Sequence, residues 1–358
     1  MNILFKSFHN INVPENVIRV IPIPEDFDEF MIEFLLYSLQ NKSIKRYKMI
    51  DKNTEVLNCI QRITKECLSE TQKDTEDTDT TLEFSNSIAL KLLREEQAVQ
   101  QLIEKMRITI QRGSLIQTLF RTDTDKLIFV VAKVEHSEWY EGESLEKKFG
   151  FPGDKKSVWK SAIIPLEVTG DLSEDDIKIY RNNDSKYWTE KFLELQEKKS
   201  DETNTREVFE AVQTILRKNV RKQSERDYLI LRNALIQKMK TPQQINYTQM
   251  IDDLVGNYIP DAESLNINTI KEKLLDLTIT KTFDTQFNAV PTVIKERKRK
   301  EKYFPSAGIE ITLVGAIEDF EHVIISESVD GGRRYLKIRC DDQKTYEAFA
   351  TKQLKIET

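Results

Sequence analysis

Two short runs of basic residues have the side-chain types and the spacing that phosphate binding requires. Residues 217–226 hold five cations and one carboxylate, and residues 295–302 hold six cations and two carboxylates. Cations that crowd together with few carboxylates between them bind phosphates and release the counterions that phosphates carry. A charged run can also be a solvated helix face or a linker, but two runs in one chain favour a polyanion as partner. The predicted phosphate ligands are Arg217, Lys218, Arg221, Lys222, Arg226, Lys295, Arg297, Lys298, Arg299, Lys300 and Lys302.

Neither run lies in a motif that reads base sequence. The chain has no helix-turn-helix signature, no zinc-finger spacing and no aromatic platform of the kind that RNA-binding domains use. Contacts to phosphates position a protein on nucleic acid but carry no sequence information. The two runs therefore predict binding that is largely independent of sequence and sensitive to salt.

The residues that could support catalysis are few and scattered. The three histidines, His9, His136 and His322, are far apart in the chain. The chain also lacks the phosphate-binding loop of nucleotide-hydrolysing enzymes and the nucleophile elbow of hydrolases. We therefore predict no catalytic residue, no metal ligand and no cofactor, and we favour a protein that is not an enzyme.

One pair of residues is similar to part of a metal-dependent nuclease centre. Lys133 and Glu135 lie two positions apart, with Glu138 close behind. Nucleases of the restriction type place an acid two residues before the lysine, where this chain has Val131. Because the order is reversed, a metal-dependent nuclease that uses Lys133, Glu135 and Glu138 is an alternative and not the favoured function.

Composition excludes a membrane-spanning helix and leaves room for two domains. The chain has 358 residues, of which 39% are hydrophobic and 32% are charged, and its mean hydropathy is −0.52. It contains no apolar run near the 18 or so residues that a transmembrane helix needs. Three cysteines without metal-ligand spacing, and no signal-peptide pattern, favour a reducing cytoplasm.

The formal net charge of −6 comes mostly from one segment. Residues 70–83 hold six carboxylates and a single lysine. This segment is rich in Thr and Asp and is predicted to be a mobile acidic loop. The rest of the chain is close to neutral, so the net charge does not argue against a polyanionic partner.

Residues 1–170 are predicted to form an α+β domain on an antiparallel sheet. Apolar, β-branched runs at 115–120, 126–134 and 159–167 predict strands. A long helix precedes them, with capping oxygens at Ser85–Ser87 and a stop at Gly113. The apolar residues at helical spacing are Ile88, Leu92, Val99, Leu102, Ile103, Met106 and Ile110.

Residues 171–358 are predicted to be helical first and to form a sheet module at the end. Apolar spacing predicts helices that include 188–199 and 228–239, with Pro242 opening another. Strands return at 304–358, where Asp330, Gly331 and Gly332 have the chemistry of a hairpin turn. The predicted class is α+β, with an N-terminal antiparallel sheet and helices, a helical middle and a small C-terminal antiparallel sheet module.

Four segments of the chain, in this order, resemble the bacterial 37-kilodalton nucleoid-associated protein family. The segments are 84–93 (FSNSIALKLL), 110–116 (IQRGSLI), 156–165 (KSVWKSAIIP) and 304–312 (FPSAGIEIT). The resemblance at the second segment continues through the predicted strand that ends at Val134 to the residues Ser137-Glu138-Trp139. The four segments together cover roughly a third of the chain.

The resemblance implies a bacterial, DNA-associated protein, and it supplies no catalytic residues. We therefore predict a cytoplasmic, nucleoid-associated homodimer that binds the phosphate backbone of double-stranded DNA, with binding residues taken from charge alone. Two further alternatives stay open. The chain could be a DNA-sensing or DNA-clamping subunit of a bacterial antiviral (anti-phage) defence system, with a partner protein, or a scaffold whose basic runs meet an acidic partner.

Overall fold

The fold is α+β, with an N-terminal antiparallel sheet of eight strands, helices between residues 201 and 280, and small antiparallel hairpins near the C-terminal end. The predicted fold class is confirmed. The computed structural model describes residues 1–24, 27–40, 43–69, 80–103, 110, 113–140, 144–150, 158–181, 186–295, 300–329 and 332–350.

The chain divides into two compact units, and each unit consists of several segments that are separated along the chain. Unit 1 consists of Met1–Asn204, Gln243–Gln249 and Thr278–Asn288. Unit 2 consists of Thr205–Pro242, Met250–Leu277 and Ala289–Thr358. The domain boundary at residue 170 stays a prediction, because compactness does not establish which parts of a chain fold independently.

The segment between residues 201 and 280 is mostly helical, and most of the described strands lie before or after it. The strands of the described residues are β1 (Asn2–Asn12), β2 (Val17–Val20), β3 (Lys45–Met49), β4 (Gly113–Arg121), β5 (Leu127–Glu135), β6 (Ser137–Tyr140), β7 (Lys147–Gly150), β8 (Val158–Leu166), β9 (Ile177–Arg181), β10 (Leu195–Glu197), β11 (Gln244–Asn246), β12 (Gln286–Asn288), β13 (Glu301–Ser306), β14 (Ile309–Leu313), β15 (Ile324–Val329) and β16 (Arg333–Ile338). The helices are α1 (Phe27–Gln40), α2 (Glu55–Leu68), α3 (Thr80–Ile103), α4 (Asp201–Asn219), α5 (Glu225–Lys240), α6 (Tyr247–Val255), α7 (Ile267–Leu275), α8 (Leu277–Thr280), α9 (Phe320–Val323) and α10 (Gln343–Phe349).

The large sheet of unit 1 is antiparallel throughout, in the order β10-β3-β9-β8-β5-β4-β1-β2. The three predicted strands form β4, β5 and β8 at its centre. Alternate side chains point to opposite faces, so Leu115 and Leu119 join one core, and Ile116 and Phe120 join the other. Helices α2 and α3 pack on the first face and α1 on the second. The central strands are therefore buried on both sides.

Helix α3 differs from its sequence prediction at both ends. It begins at Thr80, so Ser85, Asn86 and Ser87 lie inside the helix and not at its cap. The two serine hydroxyls donate hydrogen bonds to carbonyl oxygens of the preceding turn, which is how serine is satisfied within a helix. Gly113 does not stop the helix, because it is the first residue of β4.

The acidic segment at 70–83 overlaps this helix. Residues 80–83 are not part of a loop but form the first turn of α3. Phe84 packs against the core of unit 1, and the helix continues from it toward the N-terminus as far as Thr80. Residues 70–79 lie outside the described residues.

The helical middle of the chain is confirmed, with two local corrections. The predicted helix at 188–199 is a π-helical turn, Tyr187–Phe192, followed by β10. Trp188 and Phe192 are buried there against each other. Pro242 does not open a helix, because β11 follows it and α6 begins only at Tyr247.

The C-terminal module of unit 2 contains two antiparallel hairpins. Strands β13 and β14 form the first, and β15 and β16 form the second, as predicted from the glycine pair between them. Gly332 has a φ of +77°, a conformation that glycine adopts more readily than other residues. Asp330 and Gly331 lie outside the described residues.

The contact between α3 and the sheet can be tested by truncating one side chain. Leu92 is fully buried in the core of unit 1. We expect Leu92→Ala to lower the free energy of unfolding by about 2–5 kcal/mol, because the truncation leaves a cavity. Urea denaturation followed by circular dichroism measures the loss.

Leu102, on the same helix, provides the matched control. Its predicted place on the apolar face is wrong, since it is 76% exposed. Leu102→Ala should change stability by less than about 0.5 kcal/mol. Equal losses in the two variants would contradict the described orientation of α3.

Candidate functional site

The first basic run spans the end of α4 and the turn that leads into α5. Helix α4 ends at Asn219 and α5 begins at Glu225, so the run does not continue one helix. Arg217 and Lys218 occupy the last turn of α4, where the helix dipole favours cations. Their side chains and that of Lys222 are exposed.

Arg221, in the same run, is held by carboxylates of unit 2. Its guanidinium donates to Glu225 through two nitrogens, with N–O distances of 2.9 and 2.8 Å. The same group lies 4.9 Å from the ring centre of Tyr228, a cation–π contact. Bidentate pairing and stacking fix a guanidinium in place. Arg221 therefore serves the structure of unit 2 before it can serve a ligand.

Glu301 connects the first basic run to the second. Its carboxylate accepts a hydrogen bond of 3.0 Å from the hydroxyl of Tyr228 and lies 3.6 Å from the guanidinium of Arg221. Arg217 donates a hydrogen bond to the same tyrosine. Residue 301 belongs to the second run, so unit 2 brings part of the two runs together although about 80 residues separate them in the chain.

The predicted phosphate ligands fall into three groups. Arg221, Arg226 and Lys302 form ion pairs, the last two with Asp261 at 2.6 Å and Glu310 at 2.8 Å. Lys218, Lys222 and Lys295 are exposed, and no carboxylate in the described parts of the chain pairs with them. Arg217 contacts Tyr228, and Lys300 is half-buried. Arg297, Lys298 and Arg299 lie outside the described residues.

A second concentration of charge lies inside unit 1, at one end of the large sheet. Lys133 of β5 is directly opposite Lys160 of β8, which is directly opposite Arg181 of β9. Their exposed fractions are only 1%, 3% and 4%. Like charges opposite each other on neighbouring strands destabilise a sheet, so this buried row requires compensation.

Glu96 and Tyr187 supply that compensation through a chain of hydrogen bonds. Glu96 of α3 is fully buried, and its Oε1 accepts hydrogen bonds from Lys133 and, at 2.8 Å, from the Tyr187 hydroxyl. Lys160 donates to that hydroxyl at 3.2 Å and lies over the tyrosine ring. Among the residues that the structure describes, Glu96 Oε2 has no hydrogen-bond partner. We call these four residues the buried charged cluster.

Burial shifts the pKa of groups in and beside this cluster. It lowers the pKa of Lys160 to about 8, and the neighbouring Lys133 ammonium lowers it too. It raises the pKa of Glu135, an effect that the two lysines oppose. It also raises the pKa of Tyr187 well above its usual value, since the Glu96 carboxylate adds to the cost of ionisation. An amine with a pKa near neutrality can hold or release a proton, as functional lysines do.

The sequence contained a signal for only part of this cluster. Lys133 and Lys160 each interrupt an apolar strand, and such an interruption marks a charge inside a sheet. Glu96, Arg181 and Tyr187 carry no comparable signal, because each belongs to an element whose position on the sheet the sequence alone does not reveal.

The three histidines have separate surroundings. Nε2 of His9 lies 2.8 Å from Asn86 Oδ1, Nε2 of His136 lies 2.7 Å from the Ser114 hydroxyl, and His322 pairs with Asp319. His136 is buried, which does not fit the surface position that its place at the end of a predicted strand suggested. No group of three or more His, Cys, Asp or Glu side chains in the described ranges could hold a metal ion.

Comparison of the chain with family models, with curated proteins and with solved structures gives no match. The resemblance to the nucleoid-associated family therefore stays a prediction from the four sequence segments. Among the helices that the structure describes, none combines the length and the apolar character needed to cross a membrane.

The burial of Lys160 should make the stability of the protein depend on pH. Its folded pKa of about 8 lies below the ordinary value of 10.5, so the charged form destabilises the folded state. The unfolding free energy of the wild type should rise as pH rises from about 8 to about 10. Lys160→Met should be more stable than the wild type at pH 7 by roughly 3 kcal/mol, and this advantage should vanish by about pH 10.

Urea denaturation of both proteins between pH 7 and pH 10 measures this difference. Lys126→Met, which removes an exposed lysine at the start of β5, is the control and should change stability by less than about 0.5 kcal/mol at each pH. A constant difference between Lys160→Met and the wild type across the range would refute the assignment.

Proposed function

We propose that this protein binds double-stranded DNA through the phosphate backbone, largely without regard to base sequence. In the first run, the cations that carry this binding are Lys218 and Lys222, which have no carboxylate partner among the described residues. In the second run they are Arg297, Lys298 and Arg299, which are assigned from the sequence alone.

The observation that supports this proposal best is the link made by Glu301. The carboxylate binds Tyr228 and Arg221, and it sits in the chain directly before Lys302 and after the most basic part of the second run. Both runs therefore contribute to one region of unit 2. Cations from separate segments that lie on one region can contact successive phosphates, and each such contact releases counterions.

The ion pairs of Arg221 and Arg226 refine the proposal. An arginine already held by Glu225 or Asp261 must lose part of that pairing before it can bind a phosphate. An exposed lysine without a carboxylate partner binds without that cost. Lys218 and Lys222 should therefore contribute more to binding than the two arginines beside them.

The resemblance to nucleoid-associated proteins agrees with this activity and suggests two cellular roles. The first is an architectural protein of a bacterial nucleoid, acting as a homodimer in the cytoplasm. The second is a DNA-sensing or DNA-clamping subunit of an antiviral defence system. A defence gene beside the coding gene would favour the second role, and light scattering on the purified protein would test the dimer.

The proposal predicts the effect of reversing the two exposed lysines. Lys218→Glu combined with Lys222→Glu should weaken duplex binding roughly tenfold and reduce the slope of log affinity against log salt by about 2, because each phosphate contact adds about 0.9. Gel shift or fluorescence anisotropy at several salt concentrations measures both quantities. Reversal of Arg297, Lys298 and Arg299 should act in the same direction.

A control variant separates local binding from net charge. Lys126→Glu combined with Lys240→Glu makes the same change in total charge at two exposed lysines outside the basic runs. Its affinity and salt slope should stay close to those of the wild type. If duplex binding survives reversal of both runs with its salt slope unchanged, the assigned residues are wrong.

One observation favours a second candidate function, metal-dependent hydrolysis of nucleic acid. The buried charged cluster brings Glu96 close enough to Glu135 to affect its pKa, beside Lys133 and Lys160. Two carboxylates can hold a magnesium ion when substrate phosphates and water complete its shell. A lysine beside such an ion can stabilise the charge that develops on a phosphate. In this candidate Glu96 takes the part that the sequence assigned to Glu138.

Incubation of the purified protein with supercoiled plasmid and Mg²⁺ or Mn²⁺ tests the nuclease candidate. This candidate predicts nicked or linear plasmid, and it predicts that Glu96→Gln abolishes cleavage while circular dichroism confirms that the variant is folded. Glu138→Gln, at an exposed carboxylate, should leave cleavage unchanged. Intact plasmid with the wild type would eliminate this function without affecting the proposal of DNA binding.

A further inference from the structure

The second hairpin of the C-terminal module exposes both its backbone edges and its side chains. Within the described parts of the chain, strands β15 and β16 pair with each other and with no other strand, and every residue of β16 is exposed. A two-stranded hairpin has little stability in water unless one of its faces is packed. This hairpin therefore has the features of a binding surface.

The two faces of the hairpin differ in chemistry. Ile324, Ser326 and Leu336 lie on one face and line an apolar cavity of about 410 Å³ within unit 2, to which Ile325 of the other face also contributes. The other face carries Arg333, Tyr335 and Lys337 at alternate positions of β16. We call this second face the ribbon face.

The ribbon face carries more positive than negative charge. Its cations in the two strands are Arg333 and Lys337, and its carboxylate is Glu327. Arg333, and Arg334 beside it, have no ion-pair partner among the described residues. Lys337 pairs with Glu327 at 2.7 Å, but both side chains are more than 40% exposed, so the pair is weak and can exchange for a phosphate.

Tyr335 lies between the two cations of the ribbon face and is 48% exposed. In the sheet of unit 1, by contrast, Phe120 and Phe129 are fully buried. An exposed aromatic ring flanked by cations presents a surface on which a nucleic-acid base stacks while its neighbouring phosphates are neutralised. Base stacking requires an unpaired base, because a duplex hides the faces of its bases.

We propose that the ribbon face binds single-stranded nucleic acid, with a base stacked on Tyr335 and phosphates contacting Arg333 and Lys337. The occupant is a polyanion and not a second copy of this chain, because two ribbon faces placed together would bring like charges into contact. Strand spacing puts Arg333 and Lys337 about 13 Å apart along β16, so an extended strand of nucleic acid can reach both.

This inference goes beyond the proposed duplex binding and does not depend on it. The ligand is a single strand, and the residues differ from those of the two basic runs. A protein with both surfaces could hold a duplex and a strand released from it.

Fluorescence anisotropy with a labelled oligothymidylate of about 15 nucleotides, a length in the range that single-strand-binding folds cover, tests the proposal. Tyr335→Leu in the full-length protein should weaken binding roughly tenfold, because it removes stacking. Tyr335→Phe keeps the ring and should bind within about twofold of the wild type. Tyr346→Leu, at an exposed tyrosine of α10, is the matched control and should have no effect.

The charge contribution has its own measurement. Arg333→Gln should reduce the slope of log affinity against log salt by about 0.7, the contribution of one phosphate contact on a single strand. Lys218→Glu combined with Lys222→Glu should leave single-strand binding unchanged. Weaker duplex binding by that variant with single-strand binding unchanged would agree with both proposals. A wild type that binds the oligothymidylate but no duplex would overturn the proposed function and leave the inference standing.

Three results would overturn the inference. The wild type could fail to bind the oligothymidylate, Tyr335→Phe could lose as much affinity as Tyr335→Leu, or Tyr335→Leu could abolish self-association seen in the wild type by light scattering and leave oligonucleotide binding intact. The last result would assign the ribbon face to a contact between copies of this chain. Circular dichroism spectra of the variants that match the wild type would show that these results concern binding and not folding.

Discussion

The burial of the central sheet strands on both faces is the constraint on which unit 1 depends. Strands β4, β5 and β8 have no solvent-facing side at their centre, so every charge they carry must be neutralised in place. Lys133 and Lys160 satisfy this requirement by sharing Glu96 and Tyr187 with α3 and the π-helical turn. These charged contacts therefore hold α3 and the π-helical turn in one orientation on the sheet. Apolar packing alone specifies such an orientation less strictly.

Unit 2 handles its charges differently because most of them are at the surface. Arg221 is held by Glu225 and stacked on Tyr228, whereas Lys218 and Lys222, in the same short segment, have no carboxylate partner in the part of the chain that the structure describes. The cations of the first basic run therefore have two roles. Those that a carboxylate can reach stabilise unit 2, and those that no described carboxylate reaches are available to a ligand. The proposed DNA binding relies on the second set.

Sequence patterns were most reliable where a single element determined the outcome. The apolar runs at 115–120, 126–134 and 159–167 form strands because short, β-branched segments suit the centre of a sheet. Patterns were less reliable at element boundaries. Three consecutive capping-type residues, Ser85–Ser87, lie within α3, since packing of the preceding turn against the core extends the helix past them. The mixed polarity of β1 concealed a strand of eleven residues.

By itself, the sequence determined the α+β class, the central strands and the presence of two basic runs, because each depends on residues that are neighbours in the chain. Only the tertiary structure decided that Lys133, Lys160 and Arg181 stand opposite one another, that Glu96 pairs with Lys133, and that Glu301 reaches Arg221. These contacts join residues tens of positions apart, and their geometry depends on strand register and helix placement. Both are set by the packing of the whole unit, so no local pattern encodes them.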